Sequence, residues 1–171
     1  MSISVTNFGE YSVKKVKSFM GREGYGFNAD LHRGKTKVAF AYDDASGGEI
    51  RIDWLTGGYN GGEEGRLLKE HIATLPLVEA EIGEGRTLTI DEGWFISDCV
   101  SMYELNKDLR KMRKQCETKT LFRHSNHNYG QYGIVNCSCD DRVRAQLREQ
   151  HGDVEIFNDV LANGDVPSVF E

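Results

Sequence analysis

Proline, long apolar runs and internal repetition are all scarce in this sequence, and each shortage removes a class of structure. Two prolines, Pro76 and Pro167, among 171 residues exclude collagen-like and proline-rich disordered chains. No stretch approaches the roughly 18 to 20 consecutive apolar residues that cross a bilayer, and residues 1–7 carry neither the basic nor the apolar segment of a secretion signal. The expectation is a cytoplasmic chain with no membrane partner. Only four cysteines are present, Cys99, Cys116, Cys137 and Cys139. In a chain long enough to fold around its own core they read as reduced thiols rather than disulfide staples. No tract is low in complexity and no period recurs, which excludes solenoids and propellers.

What is present is a globular composition and an uneven charge. With 39% hydrophobic and 28% charged residues the chain can bury a core unaided, and its length suits a single domain. The net charge of −6 conceals four blocks: +4 over residues 1–42, −9 over 43–98, +4 over 99–123 and −5 over 124–171. Such segregation is compatible with solvated faces, and the long acidic block also suits an encounter with a basic partner surface.

Periodicity predicts an α+β fold. Residues 12–19, 25–31, 37–42 and 49–54 alternate or run apolar, and glycine- and aspartate-rich turns separate them, so they read as a four-stranded antiparallel β-meander with one wet face. Residues 56–62, with four glycines, read as a loop, and residues 63–73 as a short helix closed by Pro76. Residues 77–90 suggest an acidic hairpin. Asp91 then caps the longest helix, which runs towards Cys116 with a basic last turn. Residues 119–124 and 131–138 form a further hairpin, residues 142–151 a helix ended by Gly152, and residues 154–161 a last short helix before a loose tail.

Several residue groups are candidates for chemistry. The run Phe19-x-Gly21-x-x-Gly24-x-Gly26-Phe27 lets a backbone approach a phosphate, although it joins two strands and does not open a helix as a dinucleotide loop does. It makes a small-molecule or nucleotide binder one alternative. Gly24-Tyr25-Gly26-Phe27 and then Val38-Ala39-Phe40-Ala41-Tyr42, preceded by Val16-Lys17-Ser18-Phe19, resemble the stacking motifs of the cold-shock nucleic-acid-binding domains over about thirty residues. That resemblance implies a single-stranded nucleic-acid binder, with Phe19, Tyr25, Phe27 and Phe40 as a platform and Lys14, Lys15, Lys17, Arg22 and Lys37 as its basic rim. The second motif departs from the family in lacking its histidine, and the competing reading places Phe27 and Phe40 in the core.

His124, His127, Cys137 and Cys139 offer zinc-type ligands, but a 119–124/131–138 hairpin would set the histidines at its closed end and the cysteines at its open end. Cys116, Cys137 and Cys139 are then the better metal candidates, one ligand short. No cysteine or serine stands in a recognisable catalytic set, and the acidic pairs Asp43-Asp44, Glu63-Glu64 and Asp140-Asp141 sit at turns or helix starts. The sequence therefore assigns no catalytic residue and no cofactor. The cations of residues 107–123 could meet a phosphate or an acidic partner, or simply close a solvated helix end.

The glycine-punctuated meander, Gly47-Gly48, the basic stretch Lys114-Gln-Cys116-x-Thr118-Lys119-Thr120-Leu121-Phe122 and the short C-terminal helix together resemble small bacteriophage-encoded proteins to which no activity is attached. The resemblance implies a non-enzymatic accessory protein that binds and modulates a host factor in takeover or anti-defence. Its partner would be a host protein, met through Glu79, Glu81, Glu84 and the loop residue Tyr59. A chain of this size can also form a homodimer.

Overall fold

The computed structural model describes residues 3–76, 78–79 and 87–170, and of residues 78–79 and 87–88 the backbone alone. The α+β class is observed, and the described chain forms two compact units, residues 3–103 and residues 104–170.

The first unit opens with the expected meander: β1 (Tyr11–Met20), β2 (Tyr25–Arg33), β3 (Thr36–Asp43) and β4 (Arg51–Trp54), hydrogen-bonded in that order and antiparallel throughout. A β-bulge between Lys14 and Lys17 interrupts β1, with Lys15 in the left-handed region. Helix α1 (Gly62–Ile72) follows, then the short strands β5 (Val78–Glu79) and β6 (Thr87–Leu88), which pair antiparallel. Glu81 and Glu84 of the expected acidic hairpin lie outside the described residues, as does the Glu79 side chain.

Helix α2 (Glu92–Cys116) starts where Asp91 accepts the Trp94 amide at 2.7 Å, the cap that the sequence implied. Its first turns bury Phe95, Ile96, Cys99 and Val100 among Phe27, Ala29, Leu31, Ala39 and Ala41 of the sheet and Leu68 and Ile72 of α1. Phe95 meets Tyr11 edge-on, at 5.8 Å between ring centres. A forked ion pair from Arg33 to Glu64 ties the end of β2 to α1 at 2.7 and 2.8 Å.

In the second unit β7 (Thr120–His124) lies between β8 (Gly133–Val135) and a third strand, β9 (Val154–Ile156). Helix α3 (Asp141–His151) has Asp140 as its cap and Gly152 at its end, and α4 (Phe157–Ala162) follows β9 directly. Two expectations are corrected. Residues 154–161 are not one helix, because Val154 to Ile156 pair with β7 and only Phe157 begins the turn of α4. The tail is not loose, because Pro167 and Val169 are buried and Arg123 donates to the Ser168 carbonyl at 2.9 Å. Leu121, Phe157, Leu161 and Val169 form this unit's core with Leu109 and Met112 of α2.

Candidate functional site

The edge of the meander opens onto a concave surface. Because β4 ends the sheet order, it pairs among the described residues with β3 alone and leaves its second row of backbone amides and carbonyls without a strand partner there. Residues 48–54 line one wall of an open groove of about 1340 Å³, and the 58–60 turn, Lys69 and the start of α2 complete it.

Local packing shapes the groove. Gly61 has a φ of +71°, and a Cβ there would lie 2.3 Å from the Trp54 indole. Only glycine lets the loop fold onto that ring. Residues 58–60 form a defined turn closed by the Gly61 amide on the Gly58 carbonyl at 3.1 Å, and it carries Tyr59 outwards, 95% exposed. Trp54 and Trp94, both half-buried against the core, supply apolar surface to the groove.

The groove is acidic. Asp43, Asp44, Glu49, Asp53, Asp91 and Glu92 line it against Arg51 and Lys69. Four of the six carboxylates have local tasks: Asp43 accepts the Ala45 amide at 2.8 Å, Asp44 accepts from Ser46, Asp91 caps α2 and Glu92 pairs with Lys69 at 3.2 Å. The Ser46 hydroxyl and amide hold the Asp44 carboxyl below its usual range. Glu49 and Asp53 make no hydrogen bond or ion pair among the described residues and are exposed.

The aromatic quartet expected on one face is divided between two. Phe27, 6% exposed, points into the core, and Tyr25 shares its side of β2. Phe40 does not fill the core as one reading had it. It pairs across from Asp30 and Asp53 on the outer face, beside Tyr42 at 5.9 Å between ring centres. Phe19 reaches that face too, since its ring lies where a Cβ on Gly26 would project. Lys37 sits 5.7 Å from the Phe40 ring centre and Arg51 5.7 Å from that of Tyr42. Lys17 lies opposite Asn28 of this face, and Arg22 is exposed in the β1–β2 turn. Asp30, 6% exposed, binds Lys37 at 2.6 Å and Lys15 at 3.2 Å, and the Lys37 bond above all holds its carboxyl below the usual range.

In the glycine hairpin the amides of Gly21 and Glu23 are already bonded to the carbonyls of Gly24 and Ala45, at 2.7 and 2.9 Å, and so are not free to cradle a phosphate. The cysteines are divided as well. Cys137 is exposed, its carbonyl accepting the Thr120 hydroxyl, while burial pushes the Cys116 and Cys139 thiols upward. Cys99 is pushed to about 12 by burial and then by Asp98. Protonated thiols are poor nucleophiles. Among the described residues no three histidine, cysteine or carboxylate side chains are arranged to hold a metal ion, and no helix is long and apolar enough to cross a membrane.

No protein-family model, curated protein or solved structure matches the chain.

Proposed function

We propose that this chain is a non-catalytic interaction protein, an accessory protein of phage type that binds a host factor by taking a basic, extended segment of it into the groove along β4. One observation carries the reading: a strand edge unpaired among the described residues, two carboxylates with no hydrogen bond or ion pair among them, and three aromatic rings line the same groove. A strand edge offers main-chain hydrogen bonds to an extended peptide, the carboxylates select cationic side chains, and the rings of Trp54, Tyr59 and Trp94 receive their aliphatic stems. Of the residues expected from sequence, Tyr59 belongs to this groove.

Calorimetric titration with an extended lysine- and arginine-rich peptide, at about 50 and 300 mM salt, tests it. Binding that weakens with salt and is lost on combined Glu49→Lys and Asp53→Lys supports the reading. No binding at low salt, or binding that survives the double reversal, overturns it.

A second reading has its own observation. Phe40 and Tyr42, flanked by Lys37 and Arg51, form an aromatic and cationic strip suited to unpaired bases. Asp53 lies across from the same Phe40 and opposes phosphate, which ranks it second. Salt-dependent binding of single-stranded oligonucleotides, lost on Phe40→Ala and kept on Tyr25→Ala, would place it first.

A further inference from the structure

A cluster in the second unit takes no part in this function. His124 ends β7, His127 lies in the turn after it and His151 ends α3. The His124 ring centre is 4.1 Å from that of His127 and 4.5 Å from that of His151, the latter pair stacked with 10° between planes. All three imidazoles meet the ring of Phe122, at 5.3 to 6.1 Å, and Phe122 is only 8% exposed. The histidines form a roof over it, above Leu147 and Ile156.

Hydrogen bonds fix where the protons are. The His124 amide donates to Nδ1 of His127 at 3.2 Å, and the Asn126 amide donates to Nδ1 of His124 at 3.2 Å. A nitrogen that accepts holds no proton, so both neutral rings carry theirs on Nε2. Two stacked rings also cannot aim lone pairs at one ion, and this geometry is not that of a metal centre. Protonation at Nδ1 would set one N–H against another, breaking a bond that holds the turn, and would place like charges within about 5 Å of each other.

The surroundings do not offset that charge. Burial, then His127 and His151, all lower the proton affinity of His124 from its ordinary value of 6.5. Arg123, next on β7, donates to the Ser168 carbonyl and hydroxyl, and Glu155, opposite it on β9, accepts from Ser168. Opposite His124 itself β9 presents the apolar Val154. Helix α3 contributes His151, and Asp153 beyond it is exposed and makes no hydrogen bond or ion pair among the described residues.

The geometry points to a proton-operated latch: the neutral imidazoles hold the 124–127 turn down over Phe122, and protonation releases the turn and uncovers that ring. The sign follows from linkage. His124 binds a proton less readily folded than unfolded, so the closed turn has its full stability above about pH 6.5 and loses it as pH falls through the lower folded value.

Amide hydrogen exchange on the full chain at pH 7.5 and 5.0, corrected for intrinsic rates, tests the latch. Protection of the His124 and Asn126 amides is expected to fall at least tenfold at the lower pH, while the Leu121 amide, held by Asn158, keeps its protection. The double variant H124N/H127N places an oxygen near each Nδ1 position without a titrating ring, and its protection is expected to be independent of pH. Equal wild-type protection at both pH values, a parallel loss at Leu121, or wild-type pH dependence in the asparagine variant would overturn the latch.

Discussion

Two aspartates flank Phe40 on the same face of the meander and have opposite fates. Asp30, on the inner strand β2, is buried and held by Lys15 and Lys37, whereas Asp53, on the edge strand β4, is exposed and makes no ion pair. The first carboxylate is consumed by the fold. The second remains available to a cation from outside, and it lies beside a strand edge that can pair with a further chain. Of these two aspartates the one on β2 is structural and the one on β4 is unpaired among the described residues, although the sequence presents the two alike.

The comparison can be broken in several ways, and the largest effect is expected where the edge is built. Gly61→Ala forces a Cβ into the Trp54 indole at a left-handed φ, and should destabilise the first unit by about 2 to 3 kcal/mol and weaken peptide binding together, read by urea unfolding and calorimetry. Next, Asp30→Asn should cost about 1 to 2 kcal/mol at neutral pH, whereas Asp53→Asn should leave the unfolding midpoint unchanged. Because Asp30 titrates below its ordinary 3.8 when folded, the wild-type advantage over Asp30→Asn is full above that pH and disappears as acid is taken below it, which an unfolding series from pH 7 to 2 would follow. Tyr59→Ala should reduce peptide affinity several-fold without altering stability, since its ring is exposed and touches no core. The smallest effect sharpens the latch: His151→Gln removes one like-charged neighbour of His124 and should move its titration, followed by proton NMR, to higher pH.

Much of the fold was legible because period-two alternation and turn residues are local signals. All four meander strands, helix α1, the capped helix α2 and the capped helix α3 fall close to their expected positions. Strand β9 was not legible, because three residues running directly into α4 carry no period of their own, and only their pairing with β7 defines them. The platform was misgrouped for a related reason. Phe19, Tyr25, Phe27 and Phe40 are close in sequence, but the bulge in β1 and the register of β2 on β3 decide which face each takes. The acidic character of the edge could be read from the charge blocks, whereas the groove joins residues from 43 to 94 that only the tertiary fold brings together. Nothing in the local apolar pattern marks Trp54 and Trp94 as groove residues. The glycines after Trp54 were the available signal, since a run of them beside a large ring permits the backbone to fold over it. His151 likewise joins His124 and His127 only through the return of β9 to β7.

The most direct test of the central claim is a ¹⁵N-resolved NMR titration with the lysine- and arginine-rich peptide. The account predicts saturable shifts concentrated on residues 49–54, the 57–61 turn and the Trp94 indole, with the outer-face residues Lys17, Asn28 and Lys37 little changed. Shifts confined to that outer face, or none at all at low salt, would contradict it.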